Sequence, residues 1–345
     1  MKNSILAAFL AASLLLLSGC SSNSPSAPNA EKEPPAPAPA ADAAIPAEAG
    51  YEDGVVTRVA SLSGPTSMGL SLLMSSENEH YDFQIYTAAN EIVPLLAKGE
   101  ADAALIPANL AANVYQQTDG AVKVVNINTL GVLEVVAPES QTIDSISDLQ
   151  GKTVLLAATG KGATPEYAVR TLLQAAGVND VTLDFSNPEP ANVLAALSSN
   201  PETIAILPQP FATVAVQQNE SLSLKLSLSS EWERLMVDGS QLVTGVTVVS
   251  SDFLANHPAA AAQFILDQAA SVDAVNADPK AAGEAIEALG IVKAPIAEKA
   301  IPRCNLVCIT GEEMQQSLES YLSTLHAFDP AIIGGEMPDE NFYQK

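Results

Sequence analysis

The chain has 345 residues, 48% of them hydrophobic, which is enough apolar material for a full core and for more than one domain. Only 15 Lys and Arg stand against 40 Asp and Glu, a formal net charge of -25. Such a surface lacks the cations that neutralise phosphates and is repelled by anionic lipid heads, which argues against nucleic acid as a partner. Solubility outside the cell accounts for the acidity without a cation-binding role.

Lys2 is the sole early positive charge, and an apolar stretch from Ile5 to Leu17 ends in Leu17-Ser18-Gly19-Cys20. This layout reads as a secretory signal peptide over 1–19, and the stretch falls short of the about 20 residues that span a bilayer. The Leu-Ser-Gly-Cys segment is similar to a bacterial lipobox. That likeness implies that Cys20 is acylated, with palmitate-type chains, and becomes the first mature residue, a lipid anchor in the membrane. From residue 20 to 53 the chain is Pro, Ala, Ser and Glu with almost no large apolar side chain, so it reads as a disordered tether reaching up to roughly 100 Å. About 290 residues of head remain, enough for two lobes.

The head alternates β-rich and helical runs, the pattern of an α/β architecture with mostly parallel sheets. Strands are predicted over Val55–Ser61, Phe83–Tyr86 and Ala103–Ile106. Between them, Gly64-Pro65-Thr66-Ser67 opens a helix carrying Met68, Leu72 and Leu73, and Asn90–Lys98 forms another that Gly99 closes. Pro107-Ala108-Asn109 leads into a third helix.

The pattern then starts again: strand Thr153–Ala157, loop Thr159-Gly160-Lys161-Gly162, helix Pro165–Ala176, strand Val181–Phe185, helix Asn192–Leu197, strand Thr203–Leu207, and Pro208-Gln209-Pro210 opening a helix. The β-branched run Leu242–Ser250 is expected to return to the first lobe beside Val132–Ala137. Helices around Pro258–Val272 and Glu312–Leu325 should pack on that lobe. The expected organisation is 54–137 plus 243–345 as lobe 1 and 138–242 as lobe 2, two doubly wound lobes joined by two crossings into a hinge.

Cys304 and Cys308 lie on a segment that reads as a short strand. Residues four apart on a strand are about 13 Å apart, beyond disulfide reach, so two separate buried thiols are expected. His80, His257 and His326 are scattered in sequence, so no metal site is expected, nor any cofactor.

The ordered pieces GPTSMG, LAKGEADAALIPANLA, LQGKTVLLAATGKGATPEYAVRTLLQAAGV, ILPQPFATV and VVSSDFLANHP, following a lipobox, resemble one known group. It is the ABC-transporter substrate-binding lipoproteins of the nitrate/sulfonate/taurine and thiamine-precursor (SsuA/THI5-like) type, and the similarity covers nearly the whole head. The resemblance implies the type II periplasmic-binding-protein fold, an extracytoplasmic monomer, a small-molecule ligand, and separate ABC permease and ATPase subunits as partners. It also implies that Gly64, Pro65, Thr66, Ser67 and Asn109 face the ligand from lobe 1, and Thr159, Gly160, Lys161, Gly162, Thr164 and Gln209 from lobe 2. Loop-to-helix junctions there would offer backbone N–H groups to a polar solute.

No arginine lies in these loops and Lys161 is their one cation, so an anionic and a neutral or heterocyclic solute stay equally open. Paired catalytic carboxylates and a Gly-x-Ser-x-Gly elbow are missing from the sequence, and no catalytic residue is expected. The alternatives are a metabolic enzyme on the same fold and a ligand sensor for a membrane kinase.

Overall fold

The computed structural model describes residues 48–200, 202–236 and 239–344. The expected signal peptide, the acylated Cys20 and the tether as far as residue 47 lie outside the described residues.

Among the described residues, eleven short strands form two sheets. They are β1 (Thr57–Leu62), β2 (Tyr81–Tyr86), β3 (Ala103–Pro107), β4 (Val122–Leu130), β5 (Leu133–Pro138), β6 (Thr153–Ala157), β7 (Thr182–Asn187), β8 (Ile204–Pro208), β9 (Leu222–Ser227), β10 (Val243–Ser250) and β11 (Leu306–Ile309). The first sheet runs β2-β1-β3-β10-β4-β11 and the second β7-β6-β8-β5-β9. In each, three parallel strands are followed by an antiparallel visitor that has just crossed from the other sheet. Apart from β11, the two orders are the same: second, first, third, visitor, fourth. Helices fill the connections between the parallel strands, as right-handed crossovers demand.

The crossing differs from the sequence expectation. Val132–Ala137 was expected beside the returning strand, yet β5 lies in the second sheet, between β8 and β9. β10 lies between β3 and β4, and β4 is a strand that the sequence reading passed over. A short run that is apolar apart from Glu134 carries no period that says which sheet it joins, and Asn126 and Asn128 interrupt the apolar run of β4. The changeover between sheets therefore falls at Gly131-Val132, earlier than the expected boundary at 137. β9 and the helix Leu228–Leu235 were likewise not anticipated, nor were the helices Pro279–Ala288 and Ala294–Ala300.

Two further boundaries move. The last residues assigned to the tether belong to the head: Tyr51 stacks on His80 with ring centroids 4.1 Å apart, and Glu52 meets His257 Nδ1 at 2.9 Å. A large aromatic side chain ends the Pro/Ala-rich segment before residue 53. The C-terminal helix Gly311–Phe328, expected on the first lobe alone, touches both. Its Tyr321 packs edge-on against Trp232 (6.0 Å) and its Phe328 against Tyr167 (5.1 Å). One apolar cluster thus runs from Ile106 and Val246 through Tyr321 to Trp232 and Leu172. Cys304 and Cys308 are both free thiols; burial pushes the Cys308 thiol up to about 12 and raises Cys304 as well.

Gly131 lies in the crossing from one sheet to the other. Its carbonyl accepts from Ser229 Oγ (3.0 Å) and Asn305 Nδ2 (2.5 Å), and a Cβ there would sit 2.7 Å from Leu242 Cδ2 and against Ser229 Oγ. Gly131→Ala is expected to destabilise the head by about 1–3 kcal/mol through overpacking. Urea melts check this, and an unchanged midpoint would show that the crossing has slack.

Candidate functional site

The segments that follow β3 and β6 touch across the two sheets. Asn109, just after β3, receives a long hydrogen bond of 3.4 Å on Oδ1 from Thr164 Oγ1, at the start of the helix Thr164–Ala175 that follows β6. This brings together one expected residue from each lobe. Gln209, directly after β8, is 1% exposed and its backbone N–H donates to Val132 O on the crossing. A surface hollow lined by Gln141, Lys152, Thr153 and Thr203 lies at the N-terminal ends of β6 and β8, away from this junction.

The other expected residues are placed as follows. Gly64 has φ of 125°, a conformation open to glycine, and lets the chain turn from β1 into the helix Pro65–Met68. The hydroxyls of Thr66 and Ser67 both donate to Leu62 O, at 2.6 and 2.7 Å, and both residues are buried. They brace the turn. Beneath them lies Gly245 of β10, where a Cβ would come within 2.7 Å of Thr66 Cγ2 and 2.6 Å of Asn128 Oδ1.

In the second lobe, Thr159, Lys161 and Gly162 are exposed and Gly160 is buried. Their backbone donors are largely spent inside the lobe: Thr159 N–H on Pro188 O, Lys161 N–H on Ala158 O, and Gly162 N–H on Glu166 Oε2. Burial alone would raise the Glu166 carboxyl, but the Gly162 N–H and Arg170 outweigh it and hold it below its usual range. The loop is therefore organised by Glu166, which the sequence reading did not single out.

Two more residues were missed. Glu134 of β5 is 3% exposed, and its Oε1 takes Arg303 Nη1 at 3.3 Å, an ion pair between elements of different lobes. Burial drives its carboxyl up to about 7, with Arg303 and the neighbouring Gln209 amide pulling the other way. Behind the junction, Asn126, Asn128, Thr129, Thr247 and Gln268 form a buried hydrogen-bonded ladder on β4, β10 and the helix Pro258–Ala277. Among the described residues no group of three or more His, Cys, Asp and Glu could hold a metal, and no helix is long and apolar enough to cross a membrane.

Glu134 has a stability consequence with a definite sign. Between its ordinary value of 4.5 and about 7, the folded chain holds a proton that the unfolded chain has released. Stability is thus fully present below 4.5 and lost as pH rises through 7. Glu134→Gln cannot ionise, so relative to the parent it should gain about 1–3 kcal/mol at pH 8 compared with pH 5. Urea melts at the two pH values measure this; the same difference at both would contradict it.

Comparison with known proteins follows this geometry. Residues 81–282 match the NMT1/THI5-like family. A crystal structure of an ABC transporter from Parabacteroides distasonis superposes with a TM-score of 0.73 at 20% identity, covering 84% of this chain and 99% of that one. The periplasmic aliphatic sulphonate binding protein SsuA from Escherichia coli gives 0.64 at 13% identity, over 82% and 92%. The ligand-binding component of an ABC-type import system from Staphylococcus aureus gives 0.62 at 14%, over 84% and 96%. No curated protein sequence matches the chain. The likenesses establish the periplasmic-binding-protein fold, with its two sheets and interleaved helices, and the family match extends over more than half of the chain. The chain belongs to the NMT1/THI5-like family.

Proposed function

We propose that this chain is the solute-binding component of an ABC importer, capturing a small molecule between its lobes outside the cytoplasmic membrane and passing it to permease and ATPase subunits. It works as a monomer, tethered through an acyl group on Cys20, with residues up to the Gly131 crossing and from β10 onward in one lobe and those between in the other. It is a receptor and not an enzyme.

The observation that carries this reading is the pair of like-ordered sheets, linked by strands that cross between them, with the loop after β3 against the loop after β6. Such a pair can part and close about its crossings, and a solute bridging the two loops favours the closed form by its differential affinity. The solved importer receptors that share the fold support the same reading. By resemblance the solute-facing loops are Gly64 to Ser67 with Asn109 and Thr159 to Thr164 with Gln209. Asn109 and Thr164 lie within 3.4 Å of each other, Gln209 binds the crossing at Val132 O, and Thr66 and Ser67 act through the turn they hold.

A metabolite thermal-shift screen of the purified chain should find a solute that raises the melting temperature, since selective binding to the folded state stabilises it. Asn109→Ala and Thr164→Ala should each weaken that solute about tenfold, the worth of one hydrogen bond, without lowering the unliganded melting point appreciably. Turnover of the stabilising compound would refute a pure receptor, and unchanged affinity in both variants would move the site elsewhere.

A further inference from the structure

The helix Gly311–Phe328 reaches both lobes, and its two aromatic contacts with the second lobe differ in kind. Tyr321 and Trp232 are fully buried within one continuous apolar cluster. Parting them would leave a void in the core, so this contact holds through any motion of the lobes. Phe328, in the last turn, is 39% exposed, and its ring meets Tyr167 edge-on at 5.1 Å. That contact lies at the margin, where water can take the place of either ring.

Phe328 moves with the first lobe. The segment that follows it is fixed to the helix Ala108–Gln117 and to β4: Asn113 Nδ2 donates to Ile332 O at 2.7 Å, Tyr115 Oη to Asp339 Oδ1 at 2.6 Å, and Gln344 N–H to Val124 O at 2.8 Å. Ile333 and Phe342 of this segment are fully buried. Asn113 also donates to Asn109 O, one turn earlier, at 2.8 Å. Phe328 and Asn109 thus belong to one bonded unit.

Tyr167 moves with the second lobe. It lies about one turn after Thr164 on the helix Thr164–Ala175, and Thr164 Oγ1 is the group that reaches Asn109 Oδ1. Burial raises the Tyr167 phenol and the nearby Asp329 carboxylate raises it further, so the residue after Phe328 faces the same side chain. The two contacts between lobes, Asn109 with Thr164 and Phe328 with Tyr167, therefore stand one turn apart on the same helix. Withdrawing that helix from Asn109 withdraws Tyr167 from Phe328.

Resting on the importer reading above, we propose that Phe328 and Tyr167 form a releasable latch between the lobes, which biases the solute-free chain toward the closed form. A closed form already populated before the solute arrives raises apparent affinity in proportion to its share. An edge-to-face aromatic pair at a partly exposed margin shifts a closed-to-open ratio by about three- to tenfold, which biases the equilibrium without locking it. The buried Tyr321–Trp232 contact stays made in both forms and serves as the pivot.

Single-molecule energy transfer in the solute-free chain, with dyes on exposed Glu77 and Asn179, tests this. Phe328→Ala should move the closed-to-open ratio about three- to tenfold toward open. Phe328→Tyr, which keeps the ring, should leave the ratio unchanged, and Tyr167→Leu should repeat the alanine result from the other lobe. The double variant Phe328→Ala, Tyr167→Leu should shift it no further than Tyr167→Leu alone, because both changes remove the same contact. Residues that only support the fold would lower the urea midpoint and leave the ratio where it was. An unchanged ratio in Phe328→Ala and Tyr167→Leu, or additive shifts in the double variant, would overturn the latch. The importer reading is decided separately by the thermal-shift screen: it stands if a stabilising solute is found while the ratio stays put, and falls if no solute of any kind stabilises the chain.

Discussion

The head depends on a two-residue passage. Between the end of β4 at Leu130 and the start of β5 at Leu133, the backbone leaves one sheet and enters the other with no room for a loop. Its polar groups must still be satisfied, because a buried carbonyl or N–H without a partner is costly. They are met from both lobes: Ser229 and Asn305 donate to Gly131 O, and Gln209 N–H donates to Val132 O. Side chain and sheet crowd Gly131 so closely that only a hydrogen fits where a Cβ would be. The passage ties the two sheets together, and Gln209 of the candidate site is bound directly to it.

From this constraint the character of the site follows. β5 enters the second sheet as an antiparallel visitor, which carries Glu134 under the strand ends and next to Gln209. The return strand β10 does the equivalent in the first sheet and brings Gly245 beneath the Thr66 turn. The surface between the lobes is thus floored by the two crossing strands and walled by the loops after β1, β3, β6 and β8. The C-terminal helix closes the back of the junction with Tyr321 and Phe328, so that apolar packing and the crossings together oppose separation of the lobes. The backbone donors of the Thr159–Gly162 loop are mostly committed to Pro188, Ala158 and Glu166. In the proposed reading, recognition therefore falls more to side-chain amides and hydroxyls than to the backbone of this loop.

Much of this was legible from the sequence, for identifiable reasons. β6 and β3 are short apolar runs bounded by Lys or Asp and by small residues, and their positions follow from that punctuation. Asn109, Thr164 and Gln209 stand just after strands, so locating the strands locates them. The sheet to which β5 belongs was not legible, since a short run that is apolar apart from Glu134 reads alike in either sheet. Trp232 is fully buried, on a helix that went unseen among polar neighbours. Glu134 was not singled out, because its partner Arg303 lies 169 residues further on and no local pattern connects them. Thr66 and Ser67 were read as solute-facing hydroxyls, while the short turn after β1 directs both to Leu62 O.

The central claim is that two lobes, joined at the Gly131 passage and the return through β10, close on a solute. Single-molecule energy transfer between dyes on exposed Asn179 of the second lobe and exposed Glu77 of the first measures this directly. Adding the metabolite that most raises the melting temperature should shift a broad or long-distance population to a single shorter distance, saturating with the same affinity as the thermal shift. A distance that stays fixed while that metabolite binds would contradict the account.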